Sequence, residues 1–401
     1  MSSAAAPSTT LPITAIGSRE LEFSLMLACC DNSSSQDKQN RVRNLLKEGV
    51  DWTLFFDLVE KHGVLPLVQL TLLKFTDLIP AEPVSELRKK LGEHVRRALC
   101  LTQWLGKVSA ALDAAGIPCL PYKGPILAQQ LYGDVAMRQF SDLDFIVLPS
   151  DLESTKNALG KIGLVPHMDF STQEMRALLA SGYELTFDGI GNRNLVEIQW
   201  RVLPRFYSID FRIEDLFAWA QRVEIGGVKF RTLGNDDLVL ILCAHAAKHA
   251  WARLSWICDI AKLGNAAAID WAGVIESAAA LGMQRILSTS LFLIREMFGA
   301  ALPAEMESLI DSDPEVETLG MQIISNISQD FDVDAESTGY FRLMLRTRER
   351  IRDRVRFVSR LMLTPTIAEW SLIELPSWLF PLYRVVRIFR LMRRLLSNAS
   401  S

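Results

Sequence analysis

RQFSDLDFIVL, residues 138–148, carries two aspartates, Asp142 and Asp144, one residue apart at the mouth of an apolar, β-branched run. Side chains alternate along a strand, so residues two apart share a face. Asp142 and Asp144 therefore point the same way, and Leu143 and Phe145 point the other. Two carboxylates this close repel each other unless a cation or a proton lies between them. The stretch reads as a strand with an apolar side for packing and an acidic side kept for something else.

The surrounding sequence supplies partners for this strand. Upstream, "IPCLPYKG" is short, apolar and extended, and "PILAQQLYG" is a compact helix with proline in its first turn. Downstream, "PSDLESTKNALGKIG" predicts a helix opened by a Ser150 or Asp151 cap. "GYELTFD", a turn at "GIGNRN" and "LVEIQWRVL" predict a hairpin, and "VEIGGVKFRTL" (223–233) predicts a further one. Residues 117–203 thus read as a small mixed sheet inside an otherwise helical chain, an α+β fold.

Residues 20–101 repeat apolar positions at three- and four-residue steps, interrupted at Pro66 and at Pro80–Pro83, and Gly116 ends the last of these helices. Helical periodicity returns at Asn235 with "NDDLVLILCAHAAKHAWARLSWICDIAKLG", which opens on a capping cluster. "YFRLMLRTRERIRDRVRFVSRLML" reads as an arginine-laced helix. These changes of pattern divide the chain into a disordered leader (1–18), an N-terminal helical region (19–116), an α/β core (117–233), a helical domain (234–335) and a basic helical C-terminal region (336–401).

At 401 residues and 49% hydrophobic, the chain is long enough for a large core and two or three packed units. The formal charge of −4 hides an asymmetry. From Phe341 onward there are thirteen arginines against four acids, a net of +9, which leaves −13 for the rest. A solvated arginine face accounts for this, and so does an anionic partner, either a nucleic-acid backbone or a membrane surface. "SWLFPLYRVVRIFRLMRRLL" is both apolar and basic, which fits peripheral membrane contact as well as docking onto the core. The six cysteines show no CxxC spacing and read as buried free thiols of a reducing cytoplasm. The first residues lack the basic and apolar segments of a signal peptide, and no run of about 18 uncharged apolar residues predicts a spanning helix. The expected location is cytoplasmic, with the tail as the route to a membrane surface.

The acidic face points to metal-assisted phosphoryl chemistry. Magnesium prefers hard oxygen ligands and is commonly held by one or two carboxylates plus substrate phosphates. In "VEIQWRV", Val196, Ile198 and Trp200 alternate onto an apolar face, while Glu197 and Gln199 take the other. If that strand lies beside "DLDF", Glu197 completes an acidic triad with Asp142 and Asp144. Phosphate contacts are expected from "YKGP", where Gly124 admits close backbone approach before a helix N-terminus and Lys123 adds charge, and from Arg138 and Ser141. A salt bridge to the acids accounts for Lys123 and Arg138 equally well. His245 and His249 share a helix face with Lys248. A zinc reading of the two histidines lacks a third ligand. The others are that the three side chains face substrate, or that they pack against Trp251, Trp256 and Asp259.

The block "KGPILAQQLYGDVAMRQFSDLDFIV" resembles the nucleotidyltransferase superfamily, in which a glycine motif and a helix precede a D-x-D strand. With "VEIQW", "HAAKHAWARLSWICDIA" and "KHGVLPL", it is similar more closely to the uncharacterised nucleotidyltransferase family of bacteria, over about residues 20–395. The resemblance implies Asp142, Asp144 and Glu197 as ligands of Mg²⁺ or Mn²⁺ and Gly124 as the phosphate-loop glycine. It implies ATP or another nucleoside triphosphate as donor. A nucleoside monophosphate would pass to an acceptor hydroxyl or phosphate on a small molecule, peptide or protein, with release of pyrophosphate, in a two-metal mechanism with Glu197 or a nearby acid as base. Lys123, Gly124, Arg138 and Ser141 would bind the nucleotide phosphates, and Gln199, His245, Lys248 and His249 would face substrate. Two departures from the family pattern stand out. Pro125 replaces the usual Gly or Ser and lacks both the N–H and the hydroxyl, and Gln199 stands where relatives often carry histidine. They keep open a non-catalytic nucleotide-binding scaffold or adaptor of the same fold.

Overall fold

The computed structural model describes residues 19–31, 35–189, 194–266, 269–329, 337–370, 372–373 and 375–398; the expected leader, 1–18, lies outside them. The strands are β1 (Cys119–Pro121), β2 (Leu143–Val147), β3 (Val165–Pro166), β4 (Glu184–Asp188), β5 (Asn194–Gln199), β6 (Gln221–Ile225) and β7 (Val228–Thr232). The first five form one sheet in the order β1-β2-β5-β4-β3. Only the β2–β5 pair is parallel; β1–β2, β4–β5 and β3–β4 are antiparallel. β6 and β7 form the second hairpin expected from "VEIGGVKFRTL". The fold is α+β, a small mixed sheet within a mostly helical chain. The "GIGNRN" turn of the β4–β5 hairpin lies largely outside the described residues.

The alternation expected for β2 and β5 sorts their side chains by face. Leu143, Phe145 and Val147 join Val196, Ile198 and Trp200 in one apolar cluster. Leu101, Leu105, Val108 and Leu112, one stripe of the long helix Ala81–Ala114, close over that side. Fully burying such side chains contributes about 1.5–3 kcal/mol each, so a one-residue slip of either strand is strongly opposed. Gly116 follows the long helix with φ +69°, the left-handed turn that glycine adopts without strain. A second, larger cluster fills the helical body, built largely from the helices Glu20–Cys30, Asn235–Lys248, Leu254–Ala266 and Gln284–Phe298.

Several local expectations are corrected. The segment from Asn235 is two helices, Asn235–Lys248 and Leu254–Ala266. They separate where Ala250 and Trp251 take left-handed φ values of 51° and 52°. That conformation costs about 1–2 kcal/mol per residue. It is held because Trp251 is fully buried and its indole Nε1 donates to Ser290 Oγ at 3.0 Å. The first of these helices has no side-chain cap because its N-cap residue is Gly234; Asn235 Oδ1 accepts from Gln130 and Gln221 at 2.9 Å each. Asp151 is the N-cap residue of the helix Leu152–Lys161, but its side chain makes no capping hydrogen bond; its Oδ1 accepts from Ser150 Oγ instead.

The arginine-laced stretch breaks into Thr338–Arg346 and Ile351–Leu363. At the break Arg348 is 1% exposed and donates to Tyr207 O at 2.9 Å and Thr347 Oγ1 at 2.8 Å, so it is no part of a solvated face. Four cysteines are buried as expected, but Cys119 is half-buried and Cys100 is exposed; all six are free. Among the described residues no helix is long and apolar enough to cross a membrane.

Candidate active site

β5 does run beside β2. Asp144 pairs with Glu197, Phe145 with Ile198 and Ile146 with Gln199. On the other side of β5, Glu184 of β4 pairs with Gln199. Residues opposite each other across a ladder share a face, so Asp144, Glu197, Gln199 and Glu184 stand together on the side away from the apolar cluster, with Asp142 just ahead of β2. This face is one wall of a cavity of about 640 Å³. Lys123, Gly124, Arg138, Ser141, Asp142, Asp144, Glu197, Gln199, His245, Lys248 and His249 all line it, so every site residue expected from the sequence comes to one place.

Hydrogen bonds tie the acidic face together. Lys123 Nζ donates to Asp144 Oδ1 at 2.9 Å, with side chains only 12% and 4% exposed. Gln199 Nε2 bridges the two acids, donating to Asp144 Oδ1 at 3.0 Å and to Glu197 Oε2 at 3.3 Å. Its Oε1 accepts from the buried Tyr122 hydroxyl at 2.8 Å. The glutamine amide thus acts as a fixed clamp and carries no exchangeable acid–base proton at neutral pH. Lys123 makes the ion pair to Asp144 that one sequence reading expected, and it also lines the cavity.

Arg138 is also paired, but not with the acidic face. Its Nε donates to Asp259 Oδ2 at 2.8 Å, and Tyr132 OH donates to Asp259 Oδ1 at 3.1 Å. This nearly buried pair, 9% and 1% exposed, anchors the segment ahead of β2 to the helix Leu254–Ala266. Gly124 opens the helix Gly124–Tyr132 at φ +54°, and a Cβ there would lie 3.1 Å from the carbonyl oxygen of Asp142. Both features call for glycine. Pro125 falls in the first helical turn, where an N–H has no helical acceptor.

Charge is crowded here. Burial raises Asp142, and the neighbouring Asp144 raises it further. Burial, then Asp144, Glu184 and Asp142, push Glu197 up to about 8. Burial opposes the Lys123 ammonium, but Asp144 and then Tyr122 overcome it and hold the proton on.

The facing wall comes from the helix ending at Lys248 and the turn after it. His245 is held well below the ordinary imidazole range by burial and then by Lys123, so it is neutral at pH 7. His245 and His249 pack on Trp256, with ring centroids 5.3 and 5.1 Å away. Lys248 Nζ donates to Tyr183 OH at 2.8 Å and lies over that ring, and burial lowers its pKa. His245 and His249 thus pack on Trp256, and together with Lys248 they line the cavity.

Among the described residues no three His, Cys, Asp or Glu side chains converge as a ready metal cage. His245 and His249 have no third such ligand beside them, and on the acidic face the Gln199 amide bridges Asp144 and Glu197 while the Lys123 ammonium sits on Asp144. A magnesium ion needs less, since one or two carboxylates, waters and substrate phosphates suffice. Hard carboxylate oxygens at Asp142 and Asp144, on a face where burial and then neighbouring carboxylates raise Asp142 and Glu197, fit such an ion.

Glu184 and Tyr183 were missed in the sequence. The alternation in "GYELTFD" sets Glu184 opposite Leu185 and Phe187, so its place on the polar face was readable once β4 was paired with β5. Glu184 Oε2 is buried without a hydrogen-bond partner.

A family described as an uncharacterised nucleotidyltransferase matches residues 48–299, more than half of the chain and all of the sheet. No curated protein and no solved structure matches the chain.

Proposed function

The chain belongs to the uncharacterised nucleotidyltransferase family, and from that premise we propose that it moves a nucleoside monophosphate from a nucleoside triphosphate to an acceptor hydroxyl or phosphate. The observation that carries the reading is the register of β2 on β5, which sets Asp144 against Glu197 beside Asp142, in one cavity with the glycine turn at Gly124. In this reading the acceptor oxygen attacks the α-phosphorus, the bond from that phosphorus to the pyrophosphate oxygen breaks, and pyrophosphate leaves. Asp142 and Asp144 would hold magnesium, which when bound supplies charge to the triphosphate.

The other roles belong to the chain itself. The turn at Gly124 and the helix N-terminus behind it offer backbone N–H groups to a phosphate. Lys123 offsets the charge of Asp144, and Arg138, fixed by Asp259, holds the segment that presents Ser141 and Asp142. Glu197, held protonated near neutral pH by burial and the neighbouring carboxylates, would lose that proton beside the positive charge of bound magnesium and then take the acceptor's proton. Gln199 orients Asp144 and Glu197 together.

One observation favours a second reading, a nucleotide-binding scaffold: Lys123 and Gln199 already occupy Asp144 Oδ1, one of the oxygens a metal would use. Turnover separates the two. The protein is incubated with Mg²⁺, each of four nucleoside triphosphates labelled at the α-phosphate, and small-molecule, peptide and protein acceptors. Label on an acceptor, lost in Asp144→Asn, supports transfer. Nucleotide binding without label on any acceptor supports the scaffold.

A further inference from the structure

The C-terminal helix Tyr383–Asn398 has one anchored side and one open side. On the anchored side Tyr383, Arg387 and Leu391 are buried. Arg387 Nη1 reaches both oxygens of Glu369, at 3.4 and 3.3 Å, and Arg390 Nε donates to Glu369 Oε1 at 2.5 Å. Two arginines thus bind a fully buried carboxylate and fix how the helix is rotated. The remaining face turns away from the protein.

That outward face is apolar. Val385, Phe389 and Met392 follow one another at steps of four and three, and Leu382 and Trp378 continue the spacing back through the preceding 3-10 turn. These five side chains are between 45% and 78% exposed, with Trp378 and Phe389 the most open. At about 100° per residue, Arg384 and Arg393 fall on either flank of the stripe, and both are exposed. A stripe of large apolar side chains edged by arginines, with aromatic residues in it, is the pattern of a helix that lies in the boundary between lipid headgroups and acyl chains.

A second feature adjoins it. A cleft of about 460 Å³ runs along the start of this helix, with Leu363, Trp370 and Phe380 lining it beside Arg205, Arg360 and Arg384. Apolar walls with guanidinium groups among them suit an anionic amphiphile. The stripe and most of the cleft lie past the residues that match the family, 48–299; only Ala177, Ala180, Ser181 and Arg205 of the lining fall within them, so the feature does not follow from the transfer chemistry.

We propose that the C-terminal region is a docking surface for anionic lipid bilayers, with Trp378, Leu382, Val385, Phe389 and Met392 entering the interface and Arg384 and Arg393 meeting the headgroups. The apolar stripe favours a bilayer over a nucleic-acid backbone, which would use the arginines and leave Phe389 and Trp378 in water.

The test is co-sedimentation of the full chain with vesicles of phosphatidylcholine alone and of phosphatidylcholine with phosphatidylglycerol, at low and high salt. The expected result is salt-sensitive binding to the anionic vesicles only. Phe389→Ser and, separately, Trp378→Ser each weaken it about tenfold, and Arg384→Gln and Arg393→Gln weaken it about fivefold each. All four positions are exposed, and circular dichroism confirms that each variant is folded. No binding to anionic vesicles overturns the proposal, as does equal binding to neutral ones or binding unchanged in both aromatic variants. Two further results overturn it by naming another occupant. One is an oligoribonucleotide that binds regardless of Phe389→Ser, and the other is a dimer that dissociates in Phe389→Ser while the wild type ignores vesicles.

Discussion

Lys123→Met tests whether the ammonium at the acidic face is a structural cation. The Lys123–Asp144 pair is 2.9 Å long, with side chains 12% and 4% exposed. Methionine keeps most of the stem and removes the charge. Breaking a buried pair from one side costs about 3–5 kcal/mol. Lys123 reaches the cavity, so the low end applies: about 3 kcal/mol, or two orders of magnitude in the folded-to-unfolded ratio. Much of that loss is Asp144 left without its cation, so Lys123→Met/Asp144→Asn should be more stable than Lys123→Met alone.

The pH dependence has a definite sign. Glu197, pushed up to about 8, holds a proton in the folded chain that the unfolded chain releases above about pH 4.3. Its contribution is therefore full at low pH and is lost as pH rises through about 8. Lys123 lowers both Asp142 and Glu197, so removing it raises both further. The deficit of Lys123→Met should be larger at about pH 8 than at about pH 5. Urea denaturation at both pH values measures it. A cost below about 1 kcal/mol, or a deficit equal at the two pH values, refutes the reasoning.

Three further outcomes are expected. Asp259→Ala strands the buried Arg138 guanidinium and should cost about 3–5 kcal/mol in denaturant unfolding, with Arg138→Met/Asp259→Ala recovering part of it. Gly124→Ala meets a left-handed φ of +54° and a Cβ position 3.1 Å from Asp142 O, so it should cost about 1–2 kcal/mol and weaken nucleotide binding by displacing the Asp142 backbone. His245 is depressed by burial and then by Lys123, so it must take up a proton on acid unfolding. Its contribution is present above the unfolded value of about 6.5 and is lost as pH falls below it. Thermal unfolding across that range should show less acid sensitivity in His245→Asn.

Much of the site was legible because strand alternation is a local property. Asp142 and Asp144 against Leu143 and Phe145, and Glu197 and Gln199 against Val196 and Ile198, could be sorted by face from spacing alone. What spacing does not carry is partnership over distance. The pairing of Arg138 with Asp259 and of Lys123 with Asp144 depends on which helix and which strand come together. Both pairs exist, Lys123 with Asp144 and Arg138 with Asp259, beside the phosphate roles that the spacing also allows. The break after Lys248 was hidden for a related reason: the apolar period runs straight through it, and burial of Trp251 against Ser290 decides the backbone. Glu184 alternates with Leu185 and Phe187 in plain sequence, but its place beside Gln199 comes only with the pairing of β4 on β5.

The most direct measurement is calorimetric titration of the protein with non-hydrolysable analogues of ATP, CTP, GTP and UTP, in Mg²⁺ and in EDTA, on wild type and on Asp142→Ala/Asp144→Ala. The account predicts binding of at least one nucleotide in Mg²⁺, absent in EDTA and absent in the double variant. Folded wild type that binds no nucleotide, or that binds equally well in EDTA and in the double variant, contradicts it.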